Sequence, residues 1–421
     1  MKFSRLRGMH DVWNDEALRF EAVNQCAREV FGVFGFEEIR TPILEAKEVF
    51  TRALGDQTDV VQKEMYEFKD RSGELVAMRP EGTAGVVRAY LENHLDKTKG
   101  LAKLFYLGPM FRSERPQAGR LRQFHQIGVE TLGTADPMSD AETIHCLKAF
   151  LDAAGISDYK IKLNNLGDFK EREAFGKVLR SFFEPHAASL CGDCKKKLSK
   201  NVFRVFDCKI AECRALSRKA PVIAEHLGAE SRAHFDKVLR ALELADVSHE
   251  IDPHQVRGLD YYTKTVFEVS HPSLGAQDAL AAGGRYDSLL EAFGGTPAGA
   301  VGFAVGVERL LICLPEAKTK APERQASIFV ATLGEAALEE GFKLASSLRV
   351  LGIKTLTDFC AKSLKSQMRS ADKERCRFVV ILGDDELNNK TLVLKDLESG
   401  EQTSLPLDGA PGALKKKMPD A

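Results

Sequence analysis

The sequence carries almost no net charge and contains no long apolar run. Its 60 basic residues are balanced by 61 acidic residues, so the chain as a whole sets up no field that would hold a nucleic acid. Any nucleic-acid site must therefore be a local patch. No stretch approaches the roughly 20 apolar residues of a membrane-spanning helix, and the N-terminal residues lack the apolar core of a signal peptide. These absences predict a cytoplasmic protein without a membrane partner.

Cysteine occurs nine times, an odd number, in a chain of 421 residues. Disulfide frameworks are typical of short secreted domains, so free thiols in a reducing compartment are the simpler interpretation. The length exceeds that of one typical domain and predicts two or three. Hydrophobic residues make up 44% and charged residues 29%, an ordinary balance that allows each domain to bury its own core.

The first part of the chain shows helical and then strand-like patterns. Apolar residues recur at helical spacing over 14–34. Residues 58–133 contain mostly short strands, two of which are joined by the polar loop ERPQAGRLR into a long hairpin of an antiparallel sheet. A helix is predicted over 139–154, where Ser139 and Glu142 are spaced as a capping box.

The remainder divides into an insertion, a return to strands and a separate domain. Residues 165–250 are rich in Lys, Glu and Ala and are typical of a helical insertion. Glycine and strand signals return over 257–311, which completes a first domain at 1–320. A Lys/Pro/Glu-rich stretch at 315–325 indicates a linker. Strands then alternate with helices over 326–421, which predicts a small α/β domain with a largely parallel sheet.

The segment FRSERPQAGRLRQFHQIGVE at 111–130 holds the densest candidate chemistry. Four arginines and one glutamate lie from Arg112 to Arg122, a local charge of +3. Arginine presents a planar fork that fits phosphate oxygens, and a ring such as that of Phe124 stacks on a base. A strand–loop–strand that carries Arg112, Glu114 and Phe124 therefore suits a nucleotide. From this segment alone, a solvated hairpin tip is an equally simple alternative.

Further segments, each weak alone, are specific in combination. They are RPEGTAG at 79–85, RGLDYY at 257–262, AGGRYDSL at 282–289 and VGFAVGVERLL at 301–311. Together with the arginine-rich segment, and in this order, they resemble the histidyl-tRNA synthetases of the bacterial type. The resemblance extends from about residue 3 to about residue 405.

The resemblance implies a class II synthetase architecture. The helix and strand that end at Pro42 resemble class II motif 1, FRSERPQAGRLRQFHQ resembles motif 2, and GFAVGVERL resembles motif 3. The implied fold class is α+β: an antiparallel sheet flanked by helices, with a helical insertion and a C-terminal α/β anticodon-binding domain. Motif 1 forms the subunit interface in this class and implies a homodimer. The implied reaction activates L-histidine with ATP and transfers it to the 3′ end of the histidine tRNA.

The resemblance also implies a histidine pocket. Glu81, Thr83 and Gln126 would meet the α-ammonium group, which offers three donors. Glu130 and Tyr261 would hold opposite imidazole nitrogens, one a donor and the other an acceptor. The full set of implied histidine-binding residues is Glu81, Gly82, Thr83, Arg112, Gln126, Glu130, Arg257, Tyr261 and Tyr262.

The implied ATP site lies next to this pocket. Arg112 would bind the α-phosphate, with Glu114 and Phe124 near the adenine. Arg309 would lie against the adenine or the outer phosphates, and Arg257 would approach the α-phosphate from the other side. Arg112 and Arg257 are thus the implied catalytic residues, which share the developing charge with Mg²⁺.

Two regions are candidates for contact with tRNA. In the loop of motif 2, Arg115, Gln117 and Arg120 suit phosphates and base edges at the acceptor end. In the C-terminal domain, the stretch from Lys354 to Arg377 holds seven basic and three acidic residues, a local charge of +4. Charge alone favours a solvated helix face just as strongly.

Four of the cysteines approximate a zinc pattern. Cys191 and Cys194 have the spacing of a ligand pair, but Cys208 and Cys213 are separated by four intervening residues without a turn signature. Zinc is not required for catalysis in the family. The sequence therefore predicts solvent-accessible free thiols and no bound metal.

Two rival interpretations are open. The synthetase-like regulatory subunit of ATP phosphoribosyltransferase shares the catalytic fold, but it typically lacks the C-terminal domain and has degraded motifs. This chain retains Glu81, Arg112, Glu130, Arg257 and Arg309. Another class II synthetase would have to account for the paired tyrosines and for GGRYD.

Overall fold

The computed structural model describes residues 3–55, 58–117, 119–257, 261–275, 278–314, 325–360 and 362–418. The chain separates into two compact units, Met1–Thr319 and Lys320–Ala421. The predicted linker lies outside the described residues except for its last position. Among the described residues, no helix combines the length and the apolar character needed to cross a membrane.

The strands of the first unit form two sheets. They are β1 (Glu37–Glu38), β2 (Leu44–Ala46), β3 (Glu67–Lys69), β4 (Leu75–Met78), β5 (Ala102–Phe111), β6 (Gln123–Leu132), β7 (Lys160–Asn165), β8 (Glu250–Ile251), β9 (Thr263–Ser270), β10 (Ala279–Arg285) and β11 (Ala300–Gly306). The larger sheet has the order β1-β5-β6-β11-β10-β9-β7-β8, and the smaller has the order β2-β4-β3. In the larger sheet β1–β5 and β7–β8 pair parallel, whereas the other neighbouring strands pair antiparallel. The predicted α+β class with a large antiparallel sheet is confirmed.

The helices of the first unit either flank this sheet or lie in the predicted insertion. In chain order they are α1 (Asn14–Val33), α2 (Lys47–Leu54), α3 (Thr83–Glu92), α4 (Leu95–Thr98), α5 (Pro137–Ala154), α6 (Phe169–Phe183), α7 (Gly192–Lys200), α8 (Ala211–Ser217), α9 (Ala229–Leu244), α10 (Leu289–Ala292) and α11 (Val307–Cys313). The apolar stripe of α1, which includes Phe20 and Phe31, is buried against the sheet. Helix α3 lies in a region where the sequence predicted mostly strands. It begins within the RPEGTAG segment, and its first residue, Thr83, is one of the candidate site residues.

The hairpin β5–β6 determines which motif 2 side chains share a face. Its strands pair from Ala102 with Leu132 to Phe111 with Gln123, as the sequence predicted. Because side chains alternate along a strand, Gln126 and Glu130 face one side of the sheet. Ile127, between them, belongs to the core on the opposite side. The alternation thus separates polar site residues from apolar core residues within one strand.

The start of α5 differs from the predicted capping box. The helix begins at Pro137, and the side chain of Asp136 caps it by accepting a hydrogen bond from the amide two residues later, at 2.9 Å. The hydroxyl of Ser139 instead donates to the carbonyl of Asp136 at 2.6 Å. Proline at the first helical position needs no amide partner, so Asp-Pro was the correct signal for this helix start.

The residues predicted as an insertion form a mainly helical region between β7 and β8. Helices α6 to α9 are connected here by short 3₁₀ turns, Glu184–Ser189, Val202–Val205 and Ile223–His226. This region has its own small apolar core, which includes Phe175, Leu179 and Phe183.

The second unit has a mixed sheet. Its elements are β12 (Gln325–Thr332), α12 (Glu335–Val350), β13 (Lys354–Thr357), α13 (Leu364–Lys373), β14 (Cys376–Leu382), α14 (Asp384–Asn388), β15 (Thr391–Asp396), β16 (Gln402–Pro406) and α15 (Ala410–Lys417). Strands β13, β12 and β14 are parallel, as predicted, but β15 and β16 are antiparallel. A short turn joins β15 to β16, and only an antiparallel pair can be closed by so short a connection.

Candidate active site

A cavity of about 480 Å³ lies on the polar face of the β5–β6 hairpin, next to β10 and β11. Most residues that the sequence singled out line this one space, although they come from segments up to 228 positions apart. The predicted residues that line it are Glu81, Thr83, Arg112, Glu114, Arg120, Phe124, Gln126, Glu130, Arg257, Tyr261, Tyr262 and Arg309. Gly82 does not line the cavity but packs against the ring of Tyr106.

Glu130 is fixed at the floor of the cavity by two hydroxyl groups. Thr83 donates to its Oε1 at 2.7 Å, and the hydroxyl of Tyr286 donates to its Oε2. The side chain is almost fully buried, and this burial raises the pKa of Glu130 to about 8, although the two hydrogen bonds act in the opposite direction. Glu130 is therefore mainly a neutral acid at pH 7.

Two glycines make room for this floor. A Cβ atom at Gly302 would overlap the carboxylate of Glu130, and one at Gly128 would overlap the hydroxyl of Tyr106. Glycine is needed at both positions because a strand backbone approaches a large side chain closely.

A second buried carboxylate, that of Glu81, lies in the same cavity. It accepts hydrogen bonds from the amides of Thr83 and Ala84, at 2.7 and 2.9 Å, and so also caps α3. Burial raises its pKa, while these hydrogen bonds lower it. Two buried carboxylates in one space disfavour a double negative charge, so this end of the cavity suits a cation and N–H donors.

Some buried polar atoms in the cavity have no hydrogen-bond partner in the described part of the chain. They include Oε1 of Gln126, the hydroxyl of Tyr106 and Nε of Arg257. Buried polar groups are nearly always paired in folded proteins. Unpaired atoms that belong to residues around one cavity therefore indicate a polar ligand.

The other end of the cavity is rich in arginine. Arg112 donates from Nε to the carbonyl of Pro80 at 2.9 Å, and its guanidinium lies 5.4 Å from the centroid of the Phe124 ring. Arg309 donates from Nε to the carbonyl of Gly119 at 3.0 Å, and it also bonds the carbonyl of Ala279. These contacts hold two cations in place beside an aromatic ring, an arrangement that suits a nucleotide.

Arg257 also lines the cavity. Its Nη1 donates to Oε2 of Glu268 at 2.6 Å, and its pKa is raised because the attraction of Glu268 outweighs the opposing effect of burial. The guanidinium therefore stays charged inside the cavity and can meet an anion there.

The loop between β5 and β6 forms the rim. Gln117 and Arg120 bond each other through their backbones, at 3.0 and 2.9 Å. The side chains of Arg115, Gln117 and Arg120 are exposed and line a neighbouring depression together with Glu114, which accepts a hydrogen bond from Arg120 at 3.2 Å. Arg115 and Gln117 thus lie outside the main cavity, and Arg120 and Glu114 border both spaces.

Sequence reasoning missed several residues of the site. Tyr286 was part of the quoted segment GGRYD but was given no role, although it contacts Glu130 directly. Lys197, Arg204 and Asp207 come from the insertion and line the cavity as well. No sequence pattern in the insertion indicated that these residues line the cavity, because tertiary packing determines how closely the insertion approaches it.

Arg285, the neighbour of Tyr286, has a structural position. Its guanidinium is fully buried and forms a salt bridge with Asp140 of α5, and the pKa of Asp140 is lowered because hydrogen bonds from His234 and Arg285 outweigh the effect of burial. His234 and Thr265 bond the same carboxylate at 2.7 and 2.8 Å. The network links β9, β10, α5 and α9 beneath the site.

Class II synthetases are defined by an antiparallel sheet flanked by helices, with motif 2 on a hairpin and a motif 3 arginine beside it, and this fold and cavity place the chain in that class. The family model for histidyl-tRNA synthetase matches residues 8–310, and the model for an anticodon binding domain matches residues 327–417. The chain therefore belongs to the histidyl-tRNA synthetase family.

Individual relatives agree with this assignment. A histidine–tRNA ligase from Natranaerobius thermophilus is 44% identical over 404 residues, which cover 95% of this chain and 96% of that protein. The apo histidyl-tRNA synthetase of S. aureus superimposes with a TM-score of 0.80 at 32% identity and covers 98% of this chain and 100% of its own. A structure described as an ATP phosphoribosyltransferase regulatory subunit/histidyl-tRNA synthetase from Bacillus halodurans reaches a TM-score of 0.67 at 22% identity, with 91% and 99% covered, which shows a shared fold alone.

Proposed function

We propose that this chain is a histidine–tRNA ligase that forms histidyl-adenylate from histidine and ATP and then transfers histidine to the 3′ end of its tRNA. The observation that carries the proposal is the pairing, within one cavity, of a buried carboxylate end and an arginine-rich end. Histidine brings a cation and a ring N–H to the first end, and ATP brings phosphates to the second.

The carboxylate end accounts for the choice of amino acid. The α-ammonium group reaches Glu81, Thr83 and the unpaired Oε1 of Gln126. Glu130, held by Thr83 and Tyr286, accepts the hydrogen of one imidazole nitrogen, and Tyr261 donates to the other. An isosteric amino acid without these nitrogens would leave buried polar groups unpaired, and such sites discriminate strongly.

The arginine end accounts for the chemistry of activation. The histidine carboxylate attacks the α-phosphorus and expels pyrophosphate, so negative charge builds up on the phosphate oxygens. Arg112 and Arg257 approach this charge from two sides, and both are held by contacts within the protein before ATP arrives. Fixed cations of this kind stabilise the transition state without the cost of reorganising solvent. Phe124 and Arg309 hold the nucleotide beside them.

Mg²⁺ enters with ATP in this proposal. Among the described residues, the acidic groups around the cavity do not form a ready cluster of metal ligands. Mg²⁺ commonly takes one or two carboxylates together with phosphate oxygens and water. Glu64 and Glu114, which both line the cavity, can provide those carboxylates.

The acceptor end of tRNA approaches the rim at Arg115, Gln117 and Arg120, and the second unit binds the anticodon stem. Lys365, Arg369 and Lys373 support the second part of this proposal, since they are spaced by four residues on α13 and are all exposed. They form one basic face, the α13 basic stripe. We further propose a homodimer that works in the cytoplasm.

The test is ATP–pyrophosphate exchange with each of the twenty amino acids, followed by aminoacylation of unfractionated tRNA. Exchange with histidine alone, and charging of a histidine-accepting fraction, is the expected result. Absence of both exchange and charging would instead fit a protein that shares only the catalytic fold, and exchange with a different amino acid would contradict the assigned pocket.

A further inference from the structure

Four cysteine sulfurs of the insertion meet at one point. The Sγ atoms of Cys191, Cys194, Cys208 and Cys213 all lie within 4.8 Å of one another, and those of Cys191 and Cys208 are 3.9 Å apart. Cys194 and Cys213 are buried, which contradicts the expectation of solvent-accessible thiols for these two. The sequence argument failed because the chain between Cys208 and Cys213 is a short irregular stretch that enters α8 at Ala211, and it contains no recognisable turn.

Tetrahedral zinc holds four thiolates at about 2.3 Å, which places the sulfurs about 3.8 Å from one another. The observed separations need only small adjustments to reach that arrangement. Four sulfur ligands around a single point favour zinc among the common divalent cations. We propose that Cys191, Cys194, Cys208 and Cys213 bind one structural zinc ion.

The backbone around the sulfurs is arranged as it would be for thiolate ligands. The amide of Cys194 donates to Sγ of Cys191 at 3.4 Å, and the amide of Cys191 donates to Sγ of Cys213 at 3.3 Å. Cys191 is also the N-cap of α7, where the helix dipole favours negative charge. Hydrogen bonds to ligand atoms commonly orient and stabilise them in metal sites.

Charge also favours a metal here. Zinc with four thiolates carries two negative charges, and α7, the helix that holds Cys194, also carries Lys195, Lys196, Lys197 and Lys200. Zinc binding releases the four thiol protons to solvent, so the four thiolates and the zinc dication together carry two negative charges. A disulfide between Cys191 and Cys208 is not formed, since 3.9 Å is nearly twice a sulfur–sulfur bond.

The position of the cluster connects it to the active site. Lys197 follows Cys194 by one helical turn, Asp207 immediately precedes Cys208, and both line the catalytic cavity. Arg204, which also lines it, forms a salt bridge with Asp59 at 3.2 Å. The zinc therefore fixes the short elements that carry three cavity residues, in a region whose own apolar core is small.

The first test is metal content. Full-length protein purified without chelator and analysed for all transition metals should contain about one zinc per chain. The content should fall to near zero in Cys191→Ser and in Cys208→Ser, and it should be unchanged in Cys360→Ser, a variant of an exposed cysteine outside the cluster. Zinc well below one per chain after growth with added zinc, or stoichiometric iron in its place, would overturn the proposal.

A second test does not depend on whether the cysteine variants fold. Wild-type protein exchanged into Co²⁺ should show the visible absorption of a tetrahedral thiolate site, and added zinc should abolish it. Removal of zinc by a chelator should expose the insertion to limited proteolysis before the rest of the chain. An octahedral Co²⁺ spectrum, or an unchanged cleavage pattern after complete removal of zinc, would show that these thiols do not form the structural site.

Discussion

The hydroxyl group of Tyr286 donates its hydrogen bond to Oε2 of Glu130, although the two residues are 156 positions apart in the chain. Thr83 donates to the other oxygen of the same carboxylate, so both oxygens are oriented before a substrate arrives. The group is thus held in place but, because burial raises its pKa to about 8, it is mostly protonated at pH 7. The protonation state of Glu130 therefore decides whether it can accept the imidazole hydrogen of histidine.

We expect the affinity for histidine to rise with pH up to about 8, the pKa of Glu130. Below that pH a proton must leave Glu130 before the carboxylate can accept the imidazole hydrogen, which costs roughly tenfold in affinity per pH unit. Calorimetry from pH 6.5 to 8.5 measures this slope. In Glu130→Gln the slope should disappear, and binding should weaken roughly tenfold to a hundredfold at pH 8. A flat profile in the wild type would show that no proton is released to solvent.

Tyr286→Phe should move this profile to higher pH. The hydroxyl of Tyr286 lowers the pKa of Glu130, and its loss removes that effect while the burial remains. Histidine affinity should then fall more at pH 7 than at pH 9, whereas a purely steric defect would weaken binding equally at both. Tyr90→Phe, which removes a buried hydroxyl that bonds the carbonyl of Gly100, is the matched control and should leave the profile unchanged.

Arg257→Lys should lower kcat for pyrophosphate exchange roughly tenfold or more with smaller changes in either KM. Lysine keeps the charge and can keep the pairing with Glu268, but it loses the planar fork that spans two phosphate oxygens. Arg115→Lys, at the exposed rim, is the control for this reaction. Normal turnover at saturation with a raised KM for histidine would mean that Arg257 binds substrate rather than stabilising the transition state.

Replacing Lys365, Arg369 and Lys373 of the α13 basic stripe with alanine should raise the KM for tRNA and leave exchange unchanged. Each lost phosphate contact lowers the salt slope of binding by just under one, so three should lower it by about two to three. The triple alanine variant of Lys415, Lys416 and Lys417 removes equal charge from another exposed helix face and is the control. Equal effects of the two variants would point to net charge rather than to a specific surface.

Asp140→Asn should destabilise the protein by about 3–5 kcal/mol, because it removes the fully buried counter-charge of Arg285 and leaves only the partly exposed Asp287. Chemical denaturation followed by fluorescence measures this loss. Glu250→Gln removes one carboxylate from an exposed pair with Lys160, which solvent screens, and should leave the stability nearly unchanged. A small effect of Asp140→Asn would mean that Ser139, Asp287 and nearby carbonyl groups satisfy Arg285 by themselves.

The sequence was sufficient for features that depend on local pattern. The alternation of polar and apolar residues in β6 predicted a strand, and the polar loop before it predicted the hairpin that now carries Arg112 and Glu130. Local alternation sufficed for the strand because it decides which face of the sheet a side chain takes. The expectation that the motif residues share a cavity came instead from the resemblance of their order to the histidyl-tRNA synthetases.

Features that depend on distant packing were not predictable in this way. Tyr286 contacts Glu130 only because β10 and β11 bring the GGRYD segment across the sheet. Cys208 and Cys213 meet the first cysteine pair through helices that no spacing rule describes. The charged pair Arg285 and Asp140 is buried although both residue types are usually exposed, and only the tertiary structure shows why.

The close contacts at Gly128 and Gly302 have a consequence for inhibitor design. A side chain at either position would collide with Tyr106 or Glu130, so a compound that lies on this floor meets a surface that substitution cannot reshape without loss of the enzyme. Escape variants should instead arise along the exposed rim, where Arg115 and Gln117 have room to change. An inhibitor confined to the floor should therefore select resistance more slowly than one that extends over the rim.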